Sequence, residues 1–297
     1  MNKQRASFIK LTGSMAIFGT IGLFVRYIPL QSSMIALARG IIGTIFLLLV
    51  MLSQKKSVSK AAVRKNLLWL CLSGGCLGFN WILLFESYRY TSVAVSTLCY
   101  YMAPIIVVLV SPLILKERLT PKKLLCVVAA LCGMVCISGV LQAGIPRGGE
   151  LKGILLGLSA AVLYAAIVLL NKQIGDISAY DKTVLQLGIS AVVLLPYCIF
   201  TYQSSTAAME PMAVIMLLVV GIVHTGVTYY LYFGSMDHLS GQSVAVLSYI
   251  DPVVAVVISA TILKETMNPV TFLGALLILG AALVSELPSK EKRKIHD

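Results

Sequence analysis

Ten apolar runs alternate with short polar or turn-forming stretches along the chain. They fall at roughly 8–26, 32–52, 67–87, 92–115, 122–140, 152–171, 182–202, 211–236, 240–263 and 268–287. Each has about the twenty residues that a helix needs to cross bilayer hydrocarbon. Between them stand Pro29, Lys55-Lys56, Arg89, Pro121, Gly148-Gly149, Asp176, Pro211, Asp237 and Pro269. Ten helices with tight turns use most of the 297 residues and leave no room for a soluble catalytic domain. The predicted fold class is therefore an all-α integral membrane protein with about ten transmembrane helices.

The order of residues repeats. Residues 104–121 read PIIVVLVSPLILKERLTP, and residues 252–269 read PVVAVVISATILKETMNP. At a constant offset of 148 residues, Pro104 matches Pro252 and Ile114-Leu115-Lys116-Glu117 matches Ile262-Leu263-Lys264-Glu265. Upstream the same offset pairs Gly78 with Gly226, Phe85 with Phe233, Ser87 with Ser235 and Ser92 with Ser240. The third to fifth runs thus correspond to the eighth to tenth. By order the first two correspond to the sixth and seventh, where similarity is weak. The chain divides into residues 1–147 and 148–297, the second half ending in a short basic tail. Five helices is an odd number, so the second half enters the membrane upside down. Inverted repeats of this kind build many secondary transporters, with the substrate site near mid-bilayer between the halves. Thr120-Pro121 and Asn268-Pro269 read as helix starts, a capping residue followed by proline at the first helical position. Glu117 and Glu265 read as turn and capping residues, with a gating salt bridge as the alternative.

Composition agrees with a bilayer protein. Mean hydropathy is +0.91, and only 12% of residues are charged, about half the share in soluble domains. A net charge of +12 would also suit a nucleic-acid binder. The basic residues, however, cluster between apolar runs as topology signals do, and no aromatic-basic surface accompanies them. With the N-terminus cytoplasmic, eighteen of the 24 Lys and Arg fall on the inner side, among them Lys3, Arg5, Lys10, Lys55, Lys56, Lys116, Arg118, Lys290 and Lys294. Five fall outside, namely Arg26, Arg89, Arg147, Lys152 and Lys264. That bias predicts N-in and C-in. The first run is followed by Arg26, Tyr27 and Pro29 and lacks a small-residue cleavage site, so it reads as a retained helix. All seven cysteines lie in apolar runs without a C-x-x-C pair and read as packing residues. Gly74, Gly78, Gly153 and Gly157 form small-xxx-small pairs suited to close helix packing.

Ionisable groups inside spans are expensive and are candidates for function. Arg39, in the second run, offers a fork for a substrate carboxylate. It is equally suited to snorkel, or to bond backbone carbonyls at a helix break. Asp251 precedes Pro252 near the middle of the ninth run, where proline frees carbonyls and breaks a helix. It suits proton coupling, or a satisfied polar contact, including one to Arg39. Its repeat mate is Ala103, so the fold does not demand the charge. His224 lies in the eighth run, with Thr228 and Tyr232 following at helical spacing as a polar stripe. It is a coupling candidate or a packed hydrogen-bonding group. Glu86 sits beside Arg89 as a boundary ion pair or a vestibule contact. Asn80, Trp81, Tyr100, Tyr101, Tyr229, Tyr230 and Tyr249 precede or flank the repeat prolines Pro104 and Pro252. They suit a cavity for an organic solute, or lipid contact and packing.

These residues resemble the drug/metabolite transporter superfamily, specifically its ten-helix EamA-type members. The resemblance rests on Tyr90-Thr91-Ser92-Val93-Ala94, Pro104 and Leu115-Lys116-Glu117-Arg118-Leu119-Thr120, repeated more loosely around Pro252 and Leu263-Lys264-Glu265, and on Arg39 early in its run. It covers essentially the whole chain. One departure is Lys264-Glu265-Thr266, which lacks the arginine of the first copy. The resemblance implies transport, often export, of small organic molecules, and leaves the cargo open. It places export of an amino acid or related metabolite first and efflux of cationic toxic compounds second, with Asp251 and the tyrosines as an anionic, aromatic cage. A cavity-facing Arg39 would favour the first. An intramembrane enzyme or a receptor is disfavoured, because neither H-E-x-x-H nor G-x-S-x-G occurs and His224, His238 and His296 are scattered. No Walker A sequence is present. The expected chain needs no cofactor beyond possible proton coupling and no metal or nucleic acid. Its expected partners are the bilayer and a small solute. It is expected as a monomer, with a dimer as the alternative, in a bacterial inner or plasma membrane.

Overall fold

The apolar runs become helices because their backbone polar groups have no water to bond inside a bilayer. A computed structural model describes residues 3–91, 93–137, 151–202, 209–262, 264 and 269–286. Thirteen α-helical pieces run along them. They are α1 (Lys3–Val25), α2 (Ser32–Ser53), α3 (Lys60–Ser87), α4 (Val93–Tyr100), α5 (Ala103–Ile114), α6 (Pro121–Ile137), α7 (Leu151–Asn171), α8 (Ala179–Thr201), α9 (Pro211–Val219), α10 (Thr228–Ser235), α11 (Gly241–Leu247), α12 (Ile250–Thr261) and α13 (Pro269–Glu286). A π-helical stretch, Val220–Val227, joins α9 to α10, and a 3₁₀ turn, Met236–His238, follows α10. Among the described residues there is no strand. Among the described residues eight helical stretches are long and apolar enough to cross a membrane, and a shorter apolar helix covers Phe272–Ser285.

Side-chain caps set several starts. The hydroxyls of Ser59, Ser178 and Ser240 accept from the backbone N–H of Ala62, Asp181 and Ser243. As its sequence suggests, Thr120 accepts from Lys123 N at 3.3 Å ahead of Pro121. Asn268, Glu265, Ser92, the Gly148-Gly149 turn and the basic C-terminal tail lie outside the described residues. Lys116 and Lys264, repeat mates, both adopt left-handed backbone at φ 55°, a rare conformation for a residue with a Cβ.

The two chain halves do not form separate cores. α3 packs on α7 and α8; α2 on α8 and the π-helical stretch; α1 on α10 and α12; α6 on α13; and α4 and α5 on α7. Every one of these contacts joins residues 1–147 to residues 148–297. Small residues bring the backbones together. A Cβ built on Gly78 would meet Val193 Cβ at 2.8 Å and the Ser190 carbonyl at 2.9 Å. One on Gly153 would meet Thr91 Cγ2 at 2.6 Å.

Candidate functional site

Two helix breaks organise the centre. α4 stops at Tyr100 and α5 starts at Ala103; α11 stops at Leu247 and α12 starts at Ile250. The sequence placed the breaks at Pro104 and Pro252. The structure puts them two to four residues earlier, and the prolines sit in the first turn of the resumed helix. There a missing N–H leaves no hydrogen bond unmade. The breaks touch: Tyr249 Oη donates to the Tyr101 carbonyl at 2.9 Å. Tyr101 Oη in turn donates to Asp251 Oδ2 at 3.3 Å.

Beside the breaks lies a cavity of about 390 Å³ lined by both halves. Arg39, Trp81, Tyr100, Tyr101 and Pro104 reach it from the first half, and Tyr229 and Asp251 from the second. Its mouth lies where α1 ends, α2 begins and α3 ends, at Val25, Ser32, Phe85 and Tyr88. The Arg39 guanidinium stands 4.4 Å over the Trp81 ring. Its Nε is buried without a hydrogen-bond partner. Among the described residues neither Arg39 nor Asp251 takes part in a salt bridge, so the two charges face one cavity without neutralising each other.

Other sequence candidates stand elsewhere. Asn80 is fully buried, and its amide donates to the Ala160 carbonyl at 2.6 Å, tying α3 to α7. Tyr249 is fully buried and spends its hydroxyl on the break. Pro252 is buried and does not line the cavity. His224 is buried against α1, with Nε2 2.9 Å from Thr20 Oγ1 and its ring 4.8 Å from Phe24. The stripe expected from His224, Thr228 and Tyr232 is split, because that spacing assumed an α-helix. Through the π-helical stretch the Thr225 and Thr228 hydroxyls bond carbonyls five residues back, at Val220 and Val223. Only Tyr232 of the three lines the cavity. Tyr230 stacks on Tyr180 at 4.3 Å, away from it. Glu86 pairs with Arg89 at 3.0 Å and accepts from the Tyr197 hydroxyl, at the outer rim of the mouth.

Tyr164 was missed. It lines the cavity from α7, with its hydroxyl 2.7 Å from that of Tyr232 and 3.5 Å from Ser248 Oγ. The signal was a phenol inside an apolar run, whose hydroxyl has no cheap place in lipid.

The end opposite the mouth is closed by polar contacts on the segment between α10 and α11. Glu117 accepts from the backbone N–H of Gly241 at 2.6 Å and of Gln242 at 3.2 Å. The capping role read from the sequence is present, but the helix capped belongs to the other half. Lys172 Nζ donates to the carbonyls of Met236 and Leu239, both at 2.7 Å, and burial pushes its ammonium below the ordinary lysine range. Lys182, its side chain wholly buried, pairs with Asp237 at 2.7 Å.

Comparison with known proteins places this architecture. The EamA-like transporter family matches residues 7–139 and 151–286. The uncharacterized transporter YxxF of Bacillus subtilis (strain 168) is 31% identical over 258 residues, covering 86% of this chain and 82% of that protein. The aromatic amino acid exporter YddG of Ancylobacter novellus is 23% identical over 220 residues, covering 74% and 75%. A protein of known crystal structure superposes with a TM-score of 0.83 at 18% identity over 95% of this chain and 98% of its own, a likeness of fold. The two relatives named by sequence, YxxF and YddG, are transporters and not enzymes. With its many membrane-spanning helices, its two matched segments and its cavity between them, this chain belongs to the EamA-like transporter family.

Proposed function

We propose that the chain is a ten-span, N-in/C-in secondary transporter that exports amino acids or related metabolites by alternating access between two inverted five-helix repeats. α4 with α5, α9 with α10, and α11 with α12 each count as one span in this reading. The packing supports the inversion, since each of the contacts named above recurs when every span is replaced by the one five later. α3 on α7 recurs as α10 on α1; α3 on α8 recurs as the π-helical stretch on α2; α5 on α7 recurs as α12 on α1. The α2–α8 and α6–α13 pairs map onto themselves, as they must beside a two-fold axis. With N-in, the cavity opens outward, and Glu117, Lys172 and Lys182 hold the cytoplasmic end shut.

The observation that carries the cargo class is Arg39 at the cavity wall without a carboxylate partner. A carboxylate-bearing solute satisfies it, whereas a purely cationic drug would meet its charge. The exporter of aromatic amino acids among the relatives points the same way. Asp251 is the proposed proton-coupling residue, and no other cofactor is proposed. One chain completes the pathway, so we propose a monomer, in a bacterial plasma membrane. The test is counterflow of radiolabelled amino acids in liposomes carrying the purified protein, with and without a pH gradient. Saturable exchange of one amino acid class is expected. Movement of quaternary cations with no amino acid exchange would overturn the reading in favour of toxic-compound efflux.

A further inference from the structure

We infer that the cavity recognises a zwitterion by its two poles, one pole on each half of the chain. The substrate carboxylate bonds Arg39 on α2, the substrate ammonium bonds Asp251 on α12, and an apolar or aromatic side chain lies against the ring wall between them. The inference rests on the transporter reading above and narrows its cargo.

Three observations carry it. The cavity holds one cation and one carboxylate, and neither has an ion-pair partner among the described residues. A charge removed from water needs an opposite charge or several hydrogen bonds. Arg39 has a ring face at 4.4 Å and an unpartnered buried Nε, and Asp251 has one long hydrogen bond from Tyr101. A neutral molecule with both charges completes both without adding net charge to the bilayer interior. A dicarboxylate or a diamine would leave one pole repelled. Second, the rest of the wall is largely aromatic, with Phe18 and Tyr229 packed edge to face at 5.1 Å and Trp81 close to Tyr229 at 6.2 Å. The volume, about 390 Å³, is at the small end for organic ligand sites. Third, the poles belong to opposite halves: Arg39 lies in residues 1–147 and Asp251 in 148–297. A bound zwitterion therefore bridges the two parts that must move against each other. A solute with a single pole engages only one of them.

The experiment is competition against counterflow of radiolabelled L-phenylalanine in liposomes holding the full chain. The competitors are unlabelled L-phenylalanine, N-acetyl-L-phenylalanine, which lacks the ammonium, and L-phenylalaninamide, which lacks the carboxylate. We expect both analogues to compete about 10- to 100-fold less well than L-phenylalanine, the loss of one charged hydrogen-bonded contact. Asp251→Asn should narrow the gap for N-acetyl-L-phenylalanine, and Arg39→Gln should narrow it for L-phenylalaninamide, each without affecting the other gap. Should a variant fail to fold, the wild-type comparison still decides. If both analogues compete as well as L-phenylalanine, the two-pole assignment falls while transport stands. If only one analogue is rejected, the pole it retains is not needed and the bridge falls. If L-phenylalanine shows no counterflow but tetraethylammonium does, the assignment and the cargo class fall together. If neither moves, the two-pole assignment and the amino acid cargo fall, while membership of the family stands.

Discussion

Replacing Glu117 by alanine should loosen the start of α11 more than any other single change at the closed end. Glu117 is the acceptor for two backbone N–H groups, those of Gly241 and Gln242. These amides precede the first intrahelical bonds of α11 and have no carbonyl of their own. Losing a helix cap costs about 0.5–2 kcal/mol, and hydrogen bonds to an ionised group are worth about 1.5–3 kcal/mol each in favourable settings. Glu117 is half-buried, so water replaces part of the loss. A net effect of about 2 kcal/mol follows, or roughly a 30-fold rise in the population with these amides unbonded. Hydrogen exchange followed by mass spectrometry on the protein in lipid nanodiscs reads this directly. A peptide covering residues 237–247 should lose protection at its first amides by about that factor in Glu117→Ala. Glu117→Gln should fall between, because its amide oxygen still accepts but carries no charge toward the helix N-terminus. Unchanged exchange in that peptide, with the protein otherwise intact, would refute a latch at Glu117.

Three further outcomes are expected. Trp81→Leu removes the ring under Arg39 and should raise the half-saturation concentration for counterflow about 2- to 30-fold, the worth of a partly desolvated cation–π contact; no change would mean that the ring does not hold the guanidinium. Gly78→Leu pushes side chain into the Ser190 backbone and Val193 and should cost about 1–3 kcal/mol, seen as a lower melting temperature in detergent, whereas Gly75→Ala, with nothing within 4 Å, should melt like wild type. The Asp176 carboxyl is held below its ordinary value by Lys65 at 2.7 Å. A lowered carboxylate contributes above its unfolded pKa of about 4 and loses that contribution only as pH falls through the lowered value. Both side chains are exposed, so Asp176→Asn should shift melting little, and by the same amount at every pH from 5 to 8; a shift that varied across that range would contradict the assignment.

Much of the fold was legible because apolar runs of membrane length leave a plain trace, and from Gly78 onward the first half repeats in the second at a constant offset of 148 residues. Arg39, Trp81, Tyr100, Tyr101, Tyr229 and Asp251 were legible as cavity candidates because a charge or hydroxyl in lipid has few other places to be. Asn80, Tyr249 and His224 were chosen by the same rule, but each is held in helix packing, by partners at Ala160, Tyr101 and Thr20 that only the three-dimensional structure reveals, and the His224 Nδ1 stays buried without a hydrogen bond. Glu117 was read as a local cap since sequence neighbours are all that a motif offers. Its actual partner lies more than a hundred residues on, which no local pattern encodes. Tyr164 was hidden by its surroundings, which are apolar on both sides.

The π-helical stretch also accounts for a one-residue difference in spacing between the two copies. In α3, Gly74 and Gly78 stand four residues apart and approach Ile189 and Val193 of α8. Their counterparts, Gly221 and Gly226, stand five apart and approach Ile42 and Phe46 of α2. Five is the spacing that a π-turn needs to keep two residues on one face. The one residue by which the second copy is longer here is taken up by the wide turn, and the glycine contacts stay in register. Upstream of it the copies run 147 residues apart instead of 148, so Arg39 aligns with Gln186 and Gln31 with the cap Ser178. The weak kinship between the first two spans and the sixth and seventh is then partly a matter of counting. The arginine that faces the cavity has as its counterpart at this offset a glutamine locked with Ser73 and Asn171, so of two matching positions only one carries a charge.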